Sequence, residues 1–192
     1  LLSKPQATAF LDEEAEGLPR NVQDLRRDLP AVSVSKTGTL SSVHRRVPMD
    51  VISLKTYDKH GHVSGEKIFL GLLTAVTYSR SVGDVPYLRE KVEEAMALSG
   101  FAPGSHDHKA LRHILEKYPR DEIFQMSSAE LYKTALNILN LQERQRIALF
   151  MREDAFGKFI SCLVYIPRDR FSTRLRRQIG IILERAVDGK IT

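Results

Sequence analysis

The sequence predicts an α+β fold built from one unit used twice. Residues 50–98 and 144–187 each read as a strand, a tight turn, a second strand and an amphipathic helix. Their turns correspond, Asp58 to Gly61 in the first copy and Asp154 to Gly157 in the second, and a helical stretch with its own capping signal separates the copies. A repeated unit with no nucleophile constellation, metal-ligand cluster or phosphate loop points to sensing and assembly rather than to chemistry.

Residues 1–30 mix charges with Pro5, Pro19 and Pro30 around one short periodic stretch, NVQDLRRDL, and read as linker. From Ala31 the segment AVSVSK alternates at period two. In MDVISLKTYD, Val51 and Ile52 lead into Leu54 and Tyr57 before a turn at Lys59, His60 and Gly61; both segments are expected strands. The partner strand, Val63 to Leu73, carries Ile68, Phe69, Leu70, Leu72 and Leu73 almost without interruption. That is the pattern of a strand covered on both faces, so it is expected inside the sheet. Asp84, two residues before Pro86, suits an N-cap, and Leu88, Val92, Ala95 and Met96 predict a helix running to Gly100 with one face on the sheet. A first unit therefore spans residues 31–99.

Residues 100–142 read as a helical linker. Leu111, Ile114 and Leu115 predict a short helix ended by Pro119. A second helix opens on the capping box Ser127-x-x-Glu130, with Met126 and Leu131 as a hydrophobic staple and Ala135, Ile138 and Leu139 continuing its stripe. The second unit spans residues 143–192. Ile147, Leu149 and Met151 alternate with Ala148, Phe150 and Arg152, and FISCLVYI at 159–166 is apolar enough to be buried on both faces until Pro167 stops it. Ser172 is placed to cap a helix whose Leu175, Ile179, Ile182, Leu183 and Ala186 form a core stripe, with Arg174, Arg177, Gln178 and Arg185 toward water. A hairpin with one helix leaves sheet edges unpaired, so each unit calls for strands from elsewhere.

A single cysteine among 192 residues rules out an internal disulfide framework, and no apolar run is long enough for a membrane span. A reducing, cytoplasmic setting is the expectation. The chain starts LLSKPQ, with neither an initiator Met nor a signal-peptide pattern, and reads as a piece of a longer protein. Its net charge of +5, with Arg168, Arg170, Arg174, Arg176, Arg177 and Arg185 clustered, admits a basic α+β nucleic-acid-binding domain as the alternative reading. Against it, 24 acidic residues are interspersed, and Phe159 and Tyr165 share one face of an apolar strand without an RNP pattern. A solvated helix face is the expected role of the arginines, with neither nucleic acid nor membrane as partner.

Candidate sites mostly fail on chemistry. No G-x-G-x-x-G occurs, and Gly61, Gly65 and Gly71 are wrongly spaced on a hairpin, so this piece is not expected to bind NAD. A P-loop is also absent. His60-x-His62 and His106-x-His108 lack a carboxylate or thiolate at zinc spacing and read as turn histidines. Cys162 lies in the most apolar strand and reads as an inert small hydrophobe; Ser161 has no local His or Asp partner. The acidic run Asp12, Glu13, Glu14 and Glu16 falls in the linker. Arg168, Asp169 and Arg170, between a strand and a helix start, suit either a local salt bridge or helix-entry contact, or the capture of a carboxylate effector or an acidic partner. No catalytic, cofactor-binding or metal residue is assigned.

Several motifs carry a resemblance. In KFISCLVYIPRDRFSTRLRRQI they are Ser161, Cys162, Val164, Tyr165, Pro167, Arg168, Asp169 and Arg170. Further matches are Val43, His44, Arg45 and Asp50 in VSKTGTLSSVHRRVPMD; Tyr78, Ser79 and Arg80 in FLGLLTAVTYSRS; and Ser105, His106, Asp107, Lys109 and Pro119 to Phe124 in GSHDHKALRHILEKYPRDEIFQ. In this order, over about residues 34–187, they resemble the large-subunit bacterial NAD-specific glutamate dehydrogenases ahead of their catalytic domain. The resemblance implies ACT-like, ferredoxin-like regulatory units joined by helical linkers, in a long homo-oligomeric enzyme. That enzyme converts L-glutamate, NAD and water to 2-oxoglutarate, ammonia and NADH, and binds its NAD in a separate catalytic domain. It also implies an amino-acid effector as a possible partner. The second unit departs from the pattern by ending at its helix, which leaves its sheet incomplete.

Overall fold

A computed structural model describes residues 29–142 and 146–191. Its elements are β1 (Val32–Leu40), β2 (Pro48–Tyr57), β3 (Val63–Gly71), α1 (Ala75–Ser79), α2 (Pro86–Leu98), α3 (His106–Lys117), α4 (Arg120–Gln125), α5 (Ser128–Gln142), β4 (Ala148–Glu153), β5 (Ile160–Tyr165) and α6 (Thr173–Ala186). β1, β2 and β3 form one sheet in that order, and β4 pairs antiparallel with β5 in another. The fold is mixed α+β, as the sequence predicts. Two compact units divide the described residues: 29–34 with Val51–Leu70, and Ser35–Asp50 with those from Gly71 onward. The linker residues 1–28, with the acidic run, lie outside the described residues.

The repeated turns share a mechanism. Asp58 Oδ1 accepts from the His60 and His62 amides at 2.8 and 2.9 Å, and Gly61 takes φ +82°. In the second copy Asp154 Oδ2 accepts from the Phe156 amide at 3.1 Å, and Gly157 takes φ +66°. An aspartate holding the turn amides and a glycine in the left-handed region explain why the two spacings match.

The core lies in the helices. Leu88, Val92, Ala95 and Met96 of α2, Leu111, Ile114 and Leu115 of α3, Ile123 and Phe124 of α4, and Leu131, Ala135 and Ile138 of α5 are buried. Here the sequence expectation is corrected: the apolar face of α2 packs on α5, α3 and α4 rather than on a sheet. Its cap differs too. Ser81 opens a 3₁₀ turn over Val82–Asp84, which takes up Asp84, and Pro86 at the helix start needs no partner for an N–H it lacks. Pro119 stops α3 at Lys117 and opens the short α4. The capping box is present: the Glu130 carboxylate accepts from the Ser127 amide at 2.9 Å, and the Ser127 hydroxyl accepts from the Glu130 amide at 3.2 Å. Met126 and Leu131 are both buried at its side.

The strands are less covered than their composition suggests. Among the described residues β3 stands at a sheet edge, not inside the sheet, because β2 takes the central place; Glu66, Ile68 and Leu70 are half-buried while Phe69 is 55% exposed. β5 is half-buried rather than covered on both faces, since β4 is its one paired neighbour among the described residues. Ser172 caps α6 as expected, accepting from the Leu175 amide at 3.1 Å. Of the expected stripe, Leu175, Ile179 and Leu183 are half-buried, but Ala186 is exposed and Ile182 is 63% exposed. The helix is one-sided, and the apolar run IGIIL wraps past its covered face.

Lys91 of α2 locks the bundle. Its ammonium donates to the Ile123, Phe124 and Met126 carbonyls at 3.1, 2.8 and 2.6 Å, closing the C-terminal end of α4, and lies 4.6 Å from the Tyr87 ring centre. Burial draws its pKa from 10.5 down to about 8. Between these values the unfolded chain holds a proton that the folded chain has released, so stability is expected to rise with pH across that window. Above about pH 10 the trend should reverse, because burial raises Tyr78, Tyr87 and Tyr118 and the unfolded chain ionises first. Urea midpoints between pH 7 and 11 for the wild-type chain and Lys91→Met test this; a rise that persists in Lys91→Met would contradict it.

Candidate functional site

Three of the motif residues, Asp50, Tyr78 and Asp121, meet at a polar lock. Lys36 on β1 donates to Asp50 on β2 at 2.6 Å and to Asp121 on α4 at 3.2 Å. Asp50 accepts in turn from the Leu73 amide at 2.8 Å, and the Tyr78 hydroxyl donates to Asp121 at 3.0 Å. Burial opposes the Lys36 charge, but its hydrogen bond to Asp50 and the charge of Asp121 outweigh that and hold its pKa above 10.5. A lysine held protonated is neither a Schiff-base nucleophile nor a general base. Beside it, the buried Ser35 hydroxyl donates to the buried Asp154 carboxylate at 2.8 Å. One strand thus ties α4 through Lys36 and the β4–β5 turn through Ser35.

A second tie is bidentate. Arg152 on β4 donates to Glu122 on α4 at 2.8 and 3.1 Å and to Gln125 at 3.1 Å, and each side chain of the ion pair is 13% exposed. Burial disfavours the guanidinium charge, yet the Glu122 bonds hold its pKa above the usual value. The register pairs Ala148 with Tyr165, Phe150 with Leu163 and Arg152 with Ser161, so these residues share one sheet face. On it Phe150 meets Tyr165 edge-on, with ring centres 5.8 Å apart. An aromatic pair closed on itself offers no open platform for stacking bases.

That face borders a concavity of about 720 Å³ floored by Ile138, Leu141, Tyr165, Ile166 and Pro167 and rimmed by Arg146, Arg168 and Asp169. Of the roles open to Arg168, Asp169 and Arg170, the local salt bridge is not formed, since the three residues make no ion pair among the described residues, while a helix-entry contact agrees with their place ahead of α6. They form an exposed 3₁₀ turn between β5 and α6. An apolar floor with guanidinium groups at its rim matches a small ligand that carries a carboxylate.

The other candidates stay apart. Cys162 is half-buried, and burial raises its thiol pKa. His62 lies 3.6 Å from Asp58 with its ring largely in solvent. Among the described residues no group of three or more His, Cys, Asp or Glu is placed to hold a metal ion, and no helix is long and apolar enough to cross a membrane. Sequence reasoning passed over Lys36, Lys91 and Arg152, each of which has a partner about 30 to 85 residues away along the chain. Lys36 carried one signal, its place in the family-like string VSKTGTLSSVHRRVPMD, which also ends on its partner Asp50.

A hairpin followed by a helix, tied by one face to a helical bundle, belongs to the class of partial α+β sandwiches that includes ACT-like domains. Residues 148–192 match the family model for the glutamate dehydrogenase ACT2 domain, and residues 85–144 match that for glutamate dehydrogenase helical motif 1. The NAD-specific glutamate dehydrogenase of Halomonas elongata is 47% identical over 157 residues, 82% of this chain and 10% of that protein. That of Pseudomonas aeruginosa is 42% identical over the same length, and that of Mycobacterium tuberculosis 35% over 124 residues, 65% of this chain and 8% of that protein. The chain belongs to the NAD-specific glutamate dehydrogenase family. It spans about a tenth of the length of these curated relatives.

Proposed function

We propose that this chain is a non-catalytic segment serving regulation and assembly in an NAD-dependent glutamate dehydrogenase. The parent enzyme converts L-glutamate, NAD and water to 2-oxoglutarate, ammonia and NADH, with NAD held elsewhere in the chain. The observation that carries the reading is the polar lock. The charged residues gathered by the family-like motifs, Lys36, Asp50, Asp121 and Glu122, are engaged with partners inside the chain. Groups committed in this way hold elements in place and are not free to bind and turn over a substrate. The segment's partners are the rest of its own chain and other subunits of a homo-oligomer in the cytoplasm. The concavity at Arg146 and Arg168 is where an amino-acid effector's carboxylate would sit.

Calorimetry of the 192-residue chain with NAD, and an assay for glutamate-dependent NADH formation, test this directly. No saturable heat and no turnover are expected. Micromolar NAD binding, or any glutamate-dependent NADH, would overturn it.

A further inference from the structure

We propose that a second cleft, on the helical bundle and separate from the Arg168 concavity, binds a small multivalent anion. The cleft holds about 400 Å³, within the size range of small-molecule sites, and lies between α2 and α3 beside the 3₁₀ turn at Val82. Two helices supply its cations. Arg89 projects from α2, while Lys109 and Arg112 come from α3, where positions 109, 112, 113 and 116 share one face.

The charge is unbalanced because one of the two carboxylates is already used. Glu116 accepts from Arg120 at 3.4 Å, from the Val82 amide at 3.3 Å and from the Ser81 hydroxyl at 3.4 Å. Glu93 is then the one unengaged carboxylate against Arg89, Lys109 and Arg112. The side chains of Lys109 and Arg112 have no hydrogen-bonding or ion-pair partner among the described residues, so their donors remain available. Arg89 is oriented by one bond to the Gly83 carbonyl at 3.2 Å and keeps its other donors. Buried Val92 gives the cleft a firm floor. Cations set on both walls favour a ligand with two or more anionic groups over a monoanion, and carboxylate and phosphate share the acceptor geometry that guanidinium groups recognise.

Citrate and pyrophosphate, each titrated into the 192-residue chain at constant ionic strength, are the probes. Saturable binding of at least one is expected; which one binds distinguishes a polycarboxylate site from a phosphate site. Arg112→Ala and Lys109→Ala should each weaken it about tenfold, the scale of a lost charge-assisted hydrogen bond. Glu93→Gln should tighten it, an effect that loss of folding cannot produce, and Lys133→Ala, an exposed lysine outside the cleft, should leave it unchanged. The proposal is overturned if neither anion binds beyond a sodium chloride control, if Lys133→Ala weakens binding as much as Arg112→Ala, or if Glu93→Gln fails to tighten it.

Discussion

Leu115→Ala is expected to remove about 2–5 kcal/mol of stability. Leu115 is fully buried on α3, whose apolar face meets α2 and α5, and truncation would lose the transfer energy of the side chain and leave a cavity in a close-packed bundle. A domain of this kind holds only about 5–15 kcal/mol in total, so the variant should unfold at a much lower urea concentration. Leu163→Ala, on half-buried β5, should cost less, since part of that side chain is already in water. Urea denaturation of both variants decides where the core lies. A larger loss at Leu163 than at Leu115 would move the core from the helices to the second sheet.

Glu122→Ala is expected to cost about 3–5 kcal/mol, because it leaves the Arg152 guanidinium nearly buried without its carboxylate. The penalty comes from the orphaned charge more than from the lost attraction. Replacing both residues, as in Glu122→Leu with Arg152→Met, should therefore recover most of the loss, and the double-mutant cycle should show strong coupling. Glu122→Gln keeps acceptor and shape and should fall between the wild-type chain and Glu122→Ala. Additive single losses would mean that the pair contributes little as a pair.

How much the sequence reveals depends on how local the cause is. The Asp-to-Gly turns, the Ser127 capping box and the Ser172 cap rest on contacts within a few residues, and each is found where the spacing puts it. Burial is less legible. The runs ending at Leu73 and Ile166 look like interior strands, but an apolar strand is covered only when something lies against each face and edge. Among the described residues β3 has an edge position and β5 has one paired neighbour. The face of α2 was readable; its partner, a bundle formed with α3, α4 and α5, was not. The candidate site divides in the same way. Arg168 and Asp169 stood out because they follow a strand and precede a cap. Lys36 and Arg152 did not, because their meaning comes from Asp121 and Glu122, brought near by the fold.

If the segment supports its enzyme without taking part in the reaction, damage to it should reach assembly before catalysis. Steady-state kinetics of the full-length parent enzyme carrying Glu122→Ala, on the fraction that assembles correctly, test that claim most directly. The yield of assembled enzyme should fall, while the KM values for glutamate and NAD in the assembled fraction should match those of the parent. A correctly assembled variant with normal yield but abolished turnover, or with a shifted KM for NAD, would place this segment in the active site and contradict the account.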